Sequence, residues 1–264
     1  MKLRLPLCAV LTLALQTQAG AATPCGSYKV AFYDHGALNS RQADGRWQGI
    51  DTDVIEELAR RTGCRLVLRL ESRVRIWTMM EAGQLDITVS GIATAERKRF
   101  AHFIPYFASR NYVLLSKDVD ASVQSLDALA ADPRYKVAAI KSFKHGPTLD
   151  AWLTALRAQG RVYDAVDFTA LMRLAKTGRV HAIIALQTSW VPLRADAAAA
   201  GFRIMDWAQK DQVVGCLVLS RARVPQATVD LLSQALGAMR QDGTLEAIFA
   251  RHMGAELGAS MARY

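Results

Sequence analysis

The sequence predicts an α/β protein built as two units joined by two extended crossovers. Short apolar runs alternate with segments of helical periodicity along the whole chain, the pattern of sheets covered by helices. The first unit opens in βαβαβ order, and the middle of the chain repeats that rhythm. Two extended runs, near Asn111–Lys117 and Gln212–Ser220, supply the crossings, and neither a low-complexity linker nor a short-period repeat separates the halves.

Taken in order, Lys29 to Tyr33 is a short apolar strand followed by a polar loop from Asp34 to Gln48. Ile50, Val54, Ile55, Leu58 and Ala59 recur at helical spacing and Gly63 stops the run, which predicts a helix over 50–62. Arg65 to Leu70 is the second strand, Ile76 to Ala82 a helix ended by Gly83, and Leu85 to Val89 the third strand. Beyond the first crossing come a helix over 123–130, a strand over 136–140, helices over 147–158 and 167–177, and a strand over 180–186. After the second crossing, two helices are expected over 226–240 and 244–252, divided by Gly243.

The N-terminus predicts export. Lys2 and Arg4 precede an apolar run from Leu5 to Leu15, and Ala19-Gly20-Ala21 supplies a small-residue cleavage pattern, so a signal peptide is expected over 1–22. That run is too short to span a bilayer, and no other segment approaches eighteen uninterrupted apolar residues. The remaining chain, about 240 residues, is long enough to bury a sizeable core. Its formal charge is +9 before the leader's Lys2 and Arg4 are removed, which favours anionic partners. The Lys and Arg residues are dispersed, with no basic tail or aromatic ladder, so nucleic acid is not expected as a partner. Beyond the leader, Cys25, Cys64 and Cys216 fit one disulfide and one free thiol. Cys25 and Cys64 each precede a strand, so if those strands are parallel neighbours the two can pair, while Cys216 reads as a core thiol. The five histidines are scattered and no zinc spacing occurs, so neither metal nor cofactor is expected.

In open α/β sheets ligands gather beyond the carboxyl ends of the strands. That rule selects Tyr33 and Asp34 after the first strand, and Glu71, Arg73 and Trp77 after the second. It selects Ser90, Gly91 and Arg97 after the third, and Lys141 and Ser142 in the second unit. Of Arg73 and Arg75, the first is expected to face inward. The last loop leads into a helix near Gly146-Pro147, where backbone N–H groups and the helix dipole attract anions.

At these residues the chain resembles the periplasmic solute-binding proteins of polar-amino-acid ABC transporters. The resemblance rests on Gly49-Ile-Asp-Thr-Asp53, Trp77 with Met80, Gly83-Gln-Leu-Asp86, Ser90-Gly91-Ile92, Thr94-Ala-Glu-Arg97 and Pro105-Tyr106. Leu171, Leu174, Gly178-Arg-Val and Gln241-Asp-Gly243-Thr continue it, so it covers nearly the whole chain beyond the leader. It implies the type 2 periplasmic-binding-protein fold, with two mixed sheets covered by helices and two hinge crossovers. Lobe 1 is expected over 23–112 and 217–264, and lobe 2 over 113–216. It further implies a monomer that closes on a small anionic or zwitterionic solute and docks transiently on an inner-membrane ABC permease. Arg97 then grips a ligand carboxylate through its fork of donors, Ser90 and Gly91 add short-range donors, and Tyr33 and Trp77 pack on the ligand body.

Departures from the family pattern sharpen the ligand class. The stretch from Asp86 to Arg97 is one residue short, Ala93 replaces a common hydroxyl residue, and lobe 2 carries Lys141-Ser-Phe-Lys-His145 in place of a Gly-Thr-Thr-like turn. Leu186 stands where amino-acid binders commonly place the aspartate that holds the ligand ammonium, leaving Asp34 or Glu71 for that task. The expected function is capture of a carboxylate-bearing or other anionic solute, with no enzymatic motif in the chain. A cyclohexadienyl-type dehydratase on the same scaffold, with Glu71 or Asp34 as general acid, and a periplasmic sensor are the alternatives.

Overall fold

A computed structural model describes residues 25–190 and 201–264; the expected signal peptide lies outside them. The first half carries β1 (Ser27–Phe32), a two-stranded hairpin of β2 (Ser40–Arg41) and β3 (Trp47–Gln48), α1 (Ile50–Thr62), β4 (Arg65–Leu70), α2 (Arg73–Glu81) and β5 (Ile87–Gly91). A 3₁₀ turn at Arg97–Arg99 leads into β6 (Ala101–Leu115). The second half holds α3 (Leu126–Ala131), β7 (Val137–Ile140), α4 (Pro147–Ala158), β8 (Val162–Ala165), α5 (Phe168–Lys176), β9 (Ala182–Leu186), α6 (Gln187–Trp190) and β10 (Arg203–Met205). The chain then returns through β11 (Gln212–Ser220) to α7 (Gln226–Gln241), α8 (Thr244–Met253) and α9 (Ala255–Met261).

Period-two alternation explains why the strands read as unbroken apolar runs. Tyr28, Val30 and Phe32 of β1 face a core shared with α1, α7 and α8, while Ala31 and Tyr33 face a second core under α2. The second half repeats this. Val113, Leu115, Ala182 and Ile184 pack under α4, and Leu114, Ile183 and Ala185 under α5. Each half is therefore a sheet covered on both faces.

The sheets differ from expectation in one respect. β4, β1 and β5 are parallel, β11 runs antiparallel to β5 and to β6, so β6 shares the direction of the first three, and β6 continues into the second half to pair with β9 and β10. The two expected sheets are thus one nine-stranded sheet, an eight-strand path with β10 paired to β6 at its side. A fifteen-residue strand reaches roughly 50 Å, long enough to serve both halves. Its partner changes from β11 at Arg110 to β9 at Asn111, where the chain passes between the halves.

Pro105 sits inside β6, where it has no N–H to give the ladder. The register absorbs it: Cys216 opposes Pro105 and Gly215 opposes Phe107, leaving Tyr106 as an inserted residue. The insertion turns Tyr106 and Phe107 into the same core, which two consecutive residues of a regular strand cannot reach. Phe107 in turn requires a glycine opposite, since a Cβ at Gly215 would lie 2.1 Å from its ring.

Several short elements have no sequence signature: the β2–β3 hairpin, β8, α6, β10 and α9. α2 begins at Arg73, three residues before the expected Ile76, because Ser72 caps it by accepting from the Arg75 N–H. The extended run expected near Asn111–Lys117 is the tail of β6.

β1 and β4 are parallel neighbours, Ser27 opposite Arg65, and the disulfide Cys25–Cys64 closes their amino ends with a Cα–Cα distance of 4.4 Å. Cys216 is the buried free thiol, and burial pushes it up to about 12. The bridge closes a span of 39 residues. Loop-closure entropy for such a span is about 4 kcal/mol. Replacing both Cys25 and Cys64 by serine should lower the unfolding free energy by an amount of that order in denaturant titration, with the circular dichroism of the folded state unchanged.

Candidate functional site

The carboxyl ends of β1, β5, β7 and β9 converge on the cleft between the halves. On the first half, α1 opens with Asp51, whose carboxylate is 1% exposed and accepts from Asn39 Nδ2 at 2.9 Å, from Ser90 Oγ at 2.8 Å and from the Tyr106 hydroxyl. Ser90 adopts a left-handed φ of +51°, which sends its hydroxyl into this network, and its N–H donates to Tyr106 at 3.0 Å. Burial pushes Asp51 up to about 7 against these donors, and burial and Asp51 together hold Tyr106 well above its ordinary value. Gly91 is enclosed as well: a Cβ there would lie 2.3 Å from Val218 Cγ2 and 3.3 Å from the Trp77 ring.

In front of this buried layer stand two guanidinium groups. Arg97, in the 3₁₀ turn after β5, donates from Nη1 to the Ile92 carbonyl at 3.0 Å and from Nη2 to the Ser142 carbonyl at 3.2 Å. Its guanidinium carbon lies 3.5 Å from the centre of the Trp77 ring, which stacks on Phe103. Arg73, the first residue of α2, is 2% exposed and lies between the rings of Tyr33 at 4.8 Å and Phe143 at 4.5 Å. Its Nε and Nη2 have no hydrogen-bond partner, and neither have the Tyr33 hydroxyl and Trp77 Nε1. Burial lowers the Arg73 pKa, and burial followed by the neighbouring Arg73 charge lowers Arg97 to about 10.

The second half meets this face through the loop after β7. Ser142 has a left-handed φ of +62°, and the turn projects Phe143 onto His35, 5.4 Å between centres and nearly parallel. His35 Nε2 lies 2.8 Å from Ser189 Oγ, and the Ala37 N–H donates to the Thr188 carbonyl at 2.8 Å. Burial, then Arg73 and His145, lower His35 to about 3, so the ring is neutral. The halves are in contact, with Arg97 bonded to a carbonyl of each.

The expected site residues divide into three groups. Tyr33, Arg73, Trp77, Arg97 and Ser142 come together in the cleft, and Arg73 rather than Arg75 is the inward one. Ser90 and Gly91 lie behind it, the serine hydroxyl committed to Asp51 and Tyr106. Asp34, Glu71 and Lys141 stand apart. Asp34 lines a groove of about 570 Å³ with Phe168, Met172 and Ser189, away from the two arginines, where burial and Asp167 raise its pKa. Glu71 lies 3.4 Å from Arg75, Lys141 is exposed, and Leu186 is buried in the core under α5. The site also uses His35, Phe143, Ser189, Asp51 and Tyr106. His35 and Phe143 follow strand ends and are legible by that rule, but the bonding of Asp51 to a tyrosine 55 positions away leaves no local signal.

An α/β cleft closed by a β7 loop, floored by arginine, and crossed by a shared β6 strand defines the class of two-lobe binding proteins. The chain belongs to the bacterial extracellular solute-binding proteins, family 3, whose pattern matches residues 29–255. It is 32% identical over 80 residues to a probable histidine-binding protein of Campylobacter jejuni, a stretch covering 30% of this chain and 31% of that protein. Its fold resembles an ancestral arginine-binding protein bound to arginine, with a TM-score of 0.72, 19% identity, and coverage of 88% of this chain and 100% of the other. It also resembles EhuB in complex with hydroxyectoine, with a TM-score of 0.74, 17% identity, and coverage of 89% and 92%. Among the described residues no helix is long and apolar enough to cross a membrane.

The Asp51 network carries a pH signature. A carboxyl whose folded pKa of about 7 exceeds its ordinary 3.8 is protonated in the folded state over that interval, so its contribution to stability falls as pH rises from about 4 to about 7. Asp51→Asn cannot ionise and should gain on the wild type by about 1.4 kcal/mol per pH unit over that window. Urea titrations of the two proteins at several pH values measure this. A difference that does not change with pH would show that Asp51 ionises normally.

Proposed function

We propose that this protein captures a small carboxylate-bearing or other anionic solute, an amino acid or amino-acid-like compound, in the cleft between its lobes for an ABC importer. The observation that carries this reading is Arg97, a guanidinium 8% exposed whose two terminal nitrogens donate to neutral carbonyls on opposite sides of the cleft. A carboxylate is a stronger acceptor than either carbonyl and matches the planar fork. Trp77 beneath the guanidinium holds its plane, so the fork is oriented before ligand arrives. The amino acids named for the Campylobacter relative and the ancestral neighbour support a ligand with a carboxylate. The absence of an acid at Leu186 favours one whose second polar group is not an ammonium held from lobe 2.

Lobe 1, over 23–112 and 217–264, and lobe 2, over 113–216, are the moving units in this reading; residues 23–24 and 191–200 lie outside those described. The change of β6 partner between Arg110 and Asn111 supports the first boundary. Ligand binding favours the closed state through contacts with both lobes, and an inner-membrane permease recognises that state. The protein acts as a periplasmic monomer released from its signal peptide, and the solute is recovered chemically intact.

A thermal-shift screen over amino acids, dicarboxylates and aromatic acids should identify the solute class by a large stabilisation. Arg97→Met should weaken binding of that solute about 100-fold or more, the scale expected for truncating one partner of a buried charged pair. Arg97→Lys should recover only part, because the ammonium lacks the fork and the flat contact with Trp77. Unchanged affinity in Arg97→Met would sink the assignment, and conversion of the bound compound to a new product would favour the dehydratase.

A further inference from the structure

We infer, resting on the anion-capture reading above, that the solute is a dianion whose second acidic group is held by Arg73. The chain contains its own standard for a structural arginine. Arg161 is nearly as buried, and its nitrogens donate to the carbonyls of Tyr135, Ala130, Leu129 and Asp132 and to Gln159 Oε1. That is how a guanidinium with five donors is satisfied when its task is to tie loops together. Arg73 is more deeply buried and makes no hydrogen bond or ion pair among the described residues. Its neighbours are two aromatic faces, which favour a cation but accept no N–H in the plane of the guanidinium.

No carboxylate bonds to either guanidinium among the described residues; Glu96 and Asp150 act on Arg97 only through space, and none acts on Arg73. His35 is neutral, and Arg97 is a second cation, close enough for the Arg73 charge to lower its pKa. Asp51 is committed to Asn39, Ser90 and Tyr106 behind the cleft. Arg97 and Arg73 touch consecutive residues of the same lobe 2 loop, the Ser142 carbonyl and the Phe143 ring, so they belong to one site. The Tyr33 hydroxyl and Trp77 Nε1, both buried and unpartnered, are neutral donors available to the same ligand. Two cations, neutral donors and apolar ring faces between them select a compound with two acidic groups on a short carbon spacer. A zwitterion, whose ammonium would face uncompensated guanidinium charge, is selected against.

The test is calorimetric titration of the full mature protein with malonate, succinate, glutarate and adipate, each compared with its monoamide. The wild type should bind at least one diacid about 100-fold more tightly than the matching monoamide. Arg73→Met should abolish that preference while leaving the monoamide affinity within a few fold. It should also raise the melting temperature of the ligand-free protein, because it removes a buried cation without a partner; loss of a structural arginine would lower it. A wild type that does not distinguish diacid from monoamide would overturn the inference whatever the variant does. So would Arg73→Met that keeps the preference, or that lowers the ligand-free melting temperature. If no acid of either kind binds, or Arg97→Met binds them all unchanged, the anion reading fails as well. Monoamides held through Arg97 with no gain from the second acid group sink the Arg73 assignment alone.

Discussion

Two guanidinium groups buried between the lobes, neither bonded to a carboxylate among the described residues, are the constraint on which the cleft depends. An ion taken out of water costs several kcal/mol unless something replaces its hydration. Here the replacement is partial. Trp77 underlies Arg97, Tyr33 and Phe143 flank Arg73, and carbonyls of Ile92 and Ser142 accept from Arg97 alone. In the proposed function, an anion entering the cleft would neutralise charge already desolvated, so the cost of burial is borne by the fold and the gain would appear on binding. The same arrangement couples binding to lobe contact. The residues that complete the cation site, Ser142 and Phe143, arrive from the opposite lobe.

Rigidity behind the cleft comes from a different part of the chain. The bulge after Pro105 in β6 turns Tyr106 inward, where its hydroxyl meets Ser90 and Asp51, and Asp51 also takes Asn39. This network joins β6, β5, α1 and the loop after β1 through one carboxylate. It fixes the turn that follows β5, and with it the start of the segment carrying Arg97. Ser90 thus lies behind the cleft and sets the turn, and its unusual φ is stabilised by the bonds its hydroxyl makes there.

Much of the fold was legible because the long elements carry local signals. α1 and α4 begin and end where periodicity, Gly63 and Pro147 place them, and β4 matches its apolar run. The Cys25–Cys64 pairing followed from parallel neighbouring strands. What was not legible depends on long-range pairing. The first ten residues of β6 look like an irregular aromatic stretch, and only β11, more than a hundred residues away, makes them a strand. Four-residue β8 and three-residue β10 are too short for alternation to register. Arg97, Arg73, Tyr33 and Trp77, selected by their place after strand ends, do lie together in the cleft. The bonding of the Ser90 hydroxyl to Asp51 was not legible, since nothing local reveals it.

The central claim is that an anion sits between Arg97 and Arg73 and is shared by the two lobes. A crystal structure of the protein grown with its tightest-binding diacid tests it most directly. The account predicts one carboxylate within hydrogen-bond distance of the Arg97 fork and the other on Arg73 Nε and Nη2, with Ser142 and Phe143 closing over the ligand. A ligand seated elsewhere, or one placing an ammonium or apolar group against Arg73, would contradict it.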